Sequence, residues 1–546
     1  MDGMAYSGYQ NIKALVVDDF ESFRQMLANM LESFGIASID SAVTGNEVMR
    51  WCQEKDFDLI LCDYNLGRGK NGQQILEELR HKTILSRKTL FILISAESSK
   101  AIVMSAYDYE PDAYLAKPIT GKALKQRLDR LLQQRDEMFP IYQAIDDKNL
   151  PKATDLLNRQ IMAGSRISTP CQKLLGELYL ESGQIDLAED IYRRALQVRT
   201  LDWAKVGMAK VRELQGNKGE AKTFLKEIIK KNPLCMQAYD ALAGIYRKEE
   251  DDEALSEVLK SAVEQSPMAI LRQESLAKHA IKVNDNFTAA QAFRQTVRLG
   301  TNSVHDKLDN HIQFGRSTAQ LLRDDQSAAV DLSREVIKDL EEVGSRFAMS
   351  EEQSVMTLFV ESQVLAGQGN TRKAKEVLQM AEEKYSTLET ESDLDTDLSM
   401  AQALKDTGNK EASDQVLSRL VQEYKNDQPA LEKIDPYLDE PISQRNRGTV
   451  TSINKRGIGF YEANKFEEAI RCFDSARKLF PNHIGIQLNL VQSIDGELRA
   501  RGYDKETYYK AMRIIDIVKR NITGDHPQYD RYLQLQDMIG AHSREV

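Results

Sequence analysis

The sequence predicts a multidomain chain, with an α/β doubly wound, five-stranded parallel sheet followed by an all-α superhelix of paired helices. Two observations carry this. Over roughly the first 135 residues, short continuous apolar runs alternate with helically spaced segments, and continuous apolar strands between helices belong to a parallel sheet covered on both faces. Beyond about Pro140 the strand-like runs vanish, and helical segments of similar length recur with a spacing near 34 residues, the period of a helix–turn–helix solenoid.

In the first half, Ala14–Val17 is a compact apolar run and Phe20–Phe34 has helical spacing. Leu59–Leu61 is a second run, followed by a helix from Ile75 to Leu79. Leu90–Ile94 is a third and Ala113–Ala116 a fourth, with a helix beginning near Lys122. In the second half, Gly176, Ala209, Ala243 and Ala277 hold one small position per unit, and Ala188, Ala221 and Ala289 hold another. Pro233, Pro267 and Pro481 close their units.

Bulk composition narrows the function. The chain has 546 residues, too many for one core, and its 41% hydrophobic and 29% charged content is that of a folded chain. A net charge of −11 argues against a broad nucleic-acid footprint, which needs a basic excess. Cys52, Cys62, Cys171, Cys235 and Cys472 are odd in number and far apart, with no C-x-x-C pair, so neither a zinc site nor a disulfide framework is indicated. The opening MDGMAYSGYQ lacks the features of a signal peptide. The longest apolar runs, such as 90–94, are too short to span a bilayer. A cytoplasmic protein is expected.

Chemistry in a doubly wound sheet gathers at the carboxyl ends of its strands. The first strand ends in Asp18-Asp19, the third in Asp63, the fourth in Ser95-Ala96 and the fifth in Lys117-Pro118. Three carboxylates, a hydroxyl and an ammonium thus converge on one crevice. Clustered carboxylates repel one another, and Mg²⁺, which takes hard oxygen ligands, offsets that repulsion. One carboxylate is then placed to attack a phosphoryl group and retain it as an acyl phosphate, with the metal, Lys117 and the Ser95 hydroxyl neutralising the phosphoryl oxygens. Alone, Asp18-Asp19 reads more readily as a helix-capping pair; the other three strand ends favour the site.

The strings LVVDDF, LILCDYN, ILISAE and YLAKP, each at its strand end and in order, resemble the receiver domain of bacterial response regulators, the CheY-like, flavodoxin-like fold. The resemblance covers about 12–134. Carried over by position, it implies that Asp63 is the phosphoacceptor (4-aspartylphosphate) and that Asp19 is a direct Mg²⁺ ligand, with Asp18 acting through water. Asn65 would lend a backbone carbonyl. Ser95 and Lys117 fill the hydroxyl and lysine positions, and Tyr114 matches the switch aromatic. It also implies a cis Lys117-Pro118 bond. One stretch departs from the family. Where a proline and then Asp-Gly usually follow Asp-x-Asn, this chain reads Leu66-Gly67-Arg68-Gly69-Lys70-Asn71-Gly72. That string also matches G-x-G-x-x-G, but it does not follow its strand directly, so a dinucleotide site is not expected. Asn71 after Gly69-Lys70 rules out a P-loop.

The helix after Lys117-Pro118 carries Leu124, Leu128, Leu131 and Leu132 and meets no Gly or Ser before Pro140. It either transmits movement into the repeats or connects passively. The unit 172–200, with Leu175-Gly176, Tyr179, Ala188, Tyr192 and Ala195, resembles the tetratricopeptide repeat, as do units near 205–233, 239–267, 273–300 and 453–481. The stretch 310–424 fits less well, apart from a unit marked by Gly369-Asn370, Ala374 and Ala381. Pro429, Pro436 and Pro441 suggest a break, and 527–546 a helical cap. The expected domains are therefore 11–135 (receiver), 136–428 (repeats), 429–450 (proline-containing break) and 451–546 (last repeats and cap). His305 and His311 with Asp306 and Asp309 are read as a solvated helix face rather than a metal site.

These readings point to a response regulator of a two-component phosphorelay, phosphorylated on Asp63 by a sensor histidine kinase. Its repeats bind an unidentified protein, and neither an enzymatic nor a DNA-binding output is expected. The resemblance leaves room for a homodimer through the last receiver helices. A phosphate sink or kinase inhibitor is the alternative. A transcriptional regulator acting through the repeats, by way of a basic patch such as Lys455-Arg456, is the weakest reading. No membrane association is expected.

Overall fold

Five parallel strands, β1 (Lys13–Val17), β2 (Ser38–Ala42), β3 (Leu59–Asp63), β4 (Leu90–Ser95) and β5 (Ala113–Ala116), form one sheet in the order β2-β1-β3-β4-β5. The computed structural model describes residues 6–96, 111–198, 201–324, 329–389 and 392–542. Strand register aligns Val17 with Cys62 and Asp63 with Ile94, so the carboxyl ends of β1, β3 and β4 finish level. Alternate side chains go to opposite faces, as the pleat requires. Ala14, Val16, Leu59, Leu61, Ile92 and Ile94 face α1 (Glu21–Ser33) and the helix Gly121–Asp146. Leu15, Val17, Ile60, Cys62, Phe91 and Leu93 face α2 (Gly45–Glu54) and α3 (Gly72–His81). Residues 97–110, between β4 and β5, lie outside the described residues.

The helix Gly121–Asp146 begins at a Thr120 cap and runs on through Pro140. Leu124, Leu128, Leu131 and Leu132 pack on the sheet, whereas Met138 and Ile141 belong to the first repeat core with Leu157, Cys171 and Leu175. One helix therefore contributes to both cores, as its uninterrupted sequence suggested.

Antiparallel helix pairs follow. The small residues of the repeat pattern explain their spacing. A β-carbon at Gly176 would lie 2.6 Å from the Tyr192 ring, and one at Gly207 would be closer still, so Tyr192 lies buried between two helices that approach over glycine. Gly457 receives Phe473 and Gly496 receives Phe466 in the same way. The closing prolines sit just past helix ends at Lys231, Gln265 and Leu479, where no further N–H is needed.

The chain divides into two units. One comprises Met1–His279 with Gln291–Asn310, the other Ala280–Ala290 with His311–Val546. In the second unit, the proline-containing stretch is well packed: Gln428–Ile434 is a helix, Asp435–Tyr437 one 3₁₀ turn, and a 19-residue helix starts at Gln444. Buried Asp435 organises it by accepting from Ile442 N, Ser443 Oγ and Asn446 Nδ2. The solvated face expected of His305, Asp306, Asp309 and His311 holds for the exposed Asp309 but not for His311. His311 is fully buried with its Nδ1 2.6 Å from Asp339, and Asn310 is buried beside it, because the helix Leu308–Asp324 is packed on more than one side.

Candidate functional site

The residues singled out at the strand ends meet. Carboxylate oxygens of Asp18, Asp19 and Asp63 all lie within 4.8 Å of one another. Lys117 Nζ is 2.8 Å from Asp18 Oδ2 and 3.2 Å from Asp63 Oδ1, and it also lies 4.0 Å from the centre of the Phe23 ring. Asp18 is fixed from several sides, its Oδ1 accepting from Phe20 N and its backbone carbonyl from Arg24. Lys117 is brought up by the β4–β5 pairing, its N–H donating to Ser95 O at 2.7 Å, next to a cis Lys117-Pro118 bond.

Burial, reinforced by the Asp18 charge and opposed by Lys117, pushes the Asp63 carboxyl up to about 6. Burial also works against the Lys117 ammonium, but its bonds and charge contacts with Asp18 and Asp63 outweigh this and raise it. One ammonium thus serves two carboxylates, and the third has none: Asp19 Oδ1 is buried without a hydrogen-bond partner. A divalent cation held by oxygen ligands fits this orphaned atom and the excess negative charge.

The flanking residues fall as follows. Ser95 is buried at the end of β4. Tyr114 is half-buried on β5, against the core facing α2 and α3. Asn65 is exposed, and its Oδ1 accepts from Gly67 N. The loop's departure from the family has a conformational reason. Gly67 has φ +71° and Gly69 φ +103°, values closed to proline, whose ring fixes φ near −65°. Gly67 passes close to Asp19, where a β-carbon would lie 3.5 Å from Oδ2. Gly72 then starts α3 against the pocket, its N–H donating to Tyr64 O.

Sequence reasoning did not anticipate what covers α3. Gln73, Gln74, Glu77 and Glu78 are all buried. Gln74 completes the Asn71 capping box with Oε1 and donates through Nε2 to Thr301 O at 2.9 Å and Leu299 O at 3.3 Å. His305 Nε2 approaches Glu77 Oε1 to 2.6 Å, without the alignment of a hydrogen bond. His81 meets His305 edge-on with ring centres 6.5 Å apart. A loop following a repeat helix is therefore clasped to the helix that begins at the acidic pocket.

Residues 14–129 match the family described as response regulator receiver domain. Residues 174–200 and 204–234 match families described as tetratricopeptide repeat. This chain fuses a response regulator receiver domain to tetratricopeptide repeats. The receiver is similar to the chemotaxis protein CheY-3 of Vibrio cholerae serotype O1, with 29% identity over 131 residues, 23% of this chain and 95% of that protein. It is also similar to the chemotaxis protein CheY of Pseudomonas aeruginosa, 24% identical over 123 residues, 22% of this chain and 98% of that protein. A tetratricopeptide repeat protein from Parabacteroides merdae is 12% identical, covering 50% of this chain and 98% of its own, with a TM-score of 0.26. No described helix is long and apolar enough to cross a membrane.

Proposed function

We propose that the chain is a response regulator of a two-component phosphorelay, in which Asp63 accepts a phosphoryl group and the repeats, as protein-binding output, respond. The observation that carries this reading is the Asp18–Asp19–Asp63 cluster with Lys117 bridging Asp18 and Asp63. Asp18, Asp19, Asp63 and the Asn65 carbonyl would hold Mg²⁺, which supplies charge neutralisation for phosphoryl oxygens. An Asp63 oxygen bonds to phosphorus as the phosphorus–nitrogen bond of a sensor kinase's phosphohistidine breaks. The imidazole leaves with that electron pair and takes up a proton. Lys117 shifts its contacts toward the new phosphoryl oxygens and the Ser95 hydroxyl donates to one of them. Tyr114 follows as the switch aromatic. On this reading the chain's only chemistry is gain and loss of the acyl phosphate.

Two elements within the first unit suit the transmission of that change. The helix Gly121–Asp146 contributes to both cores, and α3 joins the pocket at Gly72 to the Leu299–His305 segment. The test is phosphorylation by a small phosphodonor with Mg²⁺, mapped by mass spectrometry in wild type and Asp63→Asn.

A further inference from the structure

In the second unit, helix ends converge around an open cleft of about 900 Å³. It is lined by the carboxyl-terminal turns of Leu308–Asp324, Glu351–Gly367, Leu394–Asp406 and Lys505–Asn521. In a chain of net charge −11, this cleft is basic, with Arg323, Lys405, Lys410, Arg477, Arg513 and Arg520 set against only Asp324, Asp406 and Asp516. Some of these cations have structural tasks. Arg323 pairs with Asp406 and Arg477 with Asp324. Lys410 donates to the Asn521 carbonyl at 2.7 Å, where a cation answers the negative end of a helix.

Lys405 is different. It is largely buried, and its ammonium donates to a neutral oxygen, Asn482 Oδ1, at 2.8 Å. Burial holds it down to about 8, against the partial support of Asp406. A cation kept in a desolvated place without a carboxylate of its own costs stability, and an arriving anion would offset that cost. Arg520 adds an exposed guanidinium at the same cleft. A second cavity of about 400 Å³ shares Lys405, Lys410, Asn482 and Asn521 with the first and continues it along Leu417, Val421, Tyr437, Leu438 and Ile442; of its two carboxylates, Asp414 and Asp439, the latter is engaged by Ile484 N and His526. Cationic and apolar surfaces therefore adjoin across one pair of lysines, an arrangement that suits a polypeptide better than a compact phosphate.

We propose that this cleft docks an acidic segment of a partner protein, its carboxylates on Lys405, Lys410 and Arg520 and an adjoining apolar side chain between Tyr437 and Ile442. The inference rests on reading the repeats as a protein-binding output, but not on phosphorylation of Asp63. The test uses the full chain without phosphodonor. Fluorescence anisotropy would follow a short labelled peptide of glutamates around one leucine, alongside its glutamine counterpart, its leucine-free counterpart and tripolyphosphate as competitor. The glutamate–leucine peptide should bind. Lys405→Gln should weaken it roughly tenfold or more, as expected when a charged hydrogen bond is lost, and Arg520→Gln a few-fold. Removing the leucine should weaken binding again. Thermal melting confirms that each variant is folded. Absent binding, equal binding of the glutamine peptide, or affinity unchanged in a variant carrying both Lys405→Gln and Arg520→Gln would overturn the proposal. So would displacement by tripolyphosphate together with indifference to the leucine, which would mark a phosphate site. Because Asp63→Asn should bind the peptide like wild type, failure here and failure of the phosphorelay reading are separate results.

Discussion

Glu77 of the receiver and His305 of the repeats lie with Oε1 and Nε2 2.6 Å apart. Beside them the Gln74 amide holds two backbone carbonyls of the same repeat segment. A helix that would have a solvated outer face in a free receiver is here buried along most of its length.

Opening this clasp should loosen α3. In the double variant Gln74→Ala, His305→Ala, the loss of two hydrogen bonds to the repeat segment, of the capping bond from Asn71 N and of the Glu77–His305 contact is expected to cost on the order of 2–3 kcal/mol. Amides of residues 72–81 should then exchange with solvent faster than in wild type, while those of β1 and β3 should not. Unchanged exchange in α3 would show that the contact holds nothing in place.

Gly72 should tolerate no side chain. A β-carbon there would meet Leu93 Cδ2 at 2.9 Å and the Asp63 carbonyl more closely still. Gly72→Ala is expected to destabilise the receiver by about 1–3 kcal/mol. Trp51 on α2 reports its unfolding once Trp203→Phe removes the other tryptophan signal. A denaturation midpoint equal to that of the parent would contradict the close packing of α3 on the β3 end.

What the sequence made legible follows burial. β5 and most of β1, β3 and β4 were visible because their runs are continuously apolar, and β1, β3 and β4 are covered on both faces, as central parallel strands must be. β2 had no such run. Ser38–Ala42 is the edge strand, with only its last residue fully buried, so the sheet's five strands were inferred while this one was not placed. The acidic pocket was legible because strand ends alone bring its residues together. The clasp was not, since Gln74, Glu77 and His305 are polar residues buried only by segments far away in sequence. The same blindness made His311 look solvated.

A Gly-Ser insertion after Gln134 tests whether the long helix carries the signal. Arg135, just beyond, is buried near Asp58 of the receiver, so the insertion displaces the stretch where the two cores share one helix. With phosphodonor and Mg²⁺, the wild type should change hydrogen exchange in 136–198. A coupling of about 1–3 kcal/mol corresponds to a change of roughly 5- to 150-fold. The insertion variant should lose that change and keep an intact, phosphorylatable receiver. A full response in the insertion variant would leave the helix a passive connector.

Lys405→Gln should be more stable than wild type below about pH 8. The folded chain holds this lysine at about 8, below the ordinary lysine range, so between those values the unfolded chain binds the extra proton. Wild-type stability then rises with pH through that window, and the cost of the buried charge is fully present beneath it. Arg323, Asp406, Lys410 and Asp414 also bear on this charge. The variant's advantage, on the order of 1–3 kcal/mol, should shrink as pH rises above 8. A less stable variant, or an advantage independent of pH, would mean that Lys405 is well compensated in the fold.

The central claim is that Asp63 is phosphorylated within the cluster it forms with Asp18, Asp19 and Lys117. Incubation with a small phosphodonor, with and without Mg²⁺, followed by mass-spectrometric mapping of the label, tests it directly. The label should fall on Asp63, vanish in Asp63→Asn and drop sharply with chelator. Label persisting in Asp63→Asn, or uptake indifferent to Mg²⁺, would contradict it.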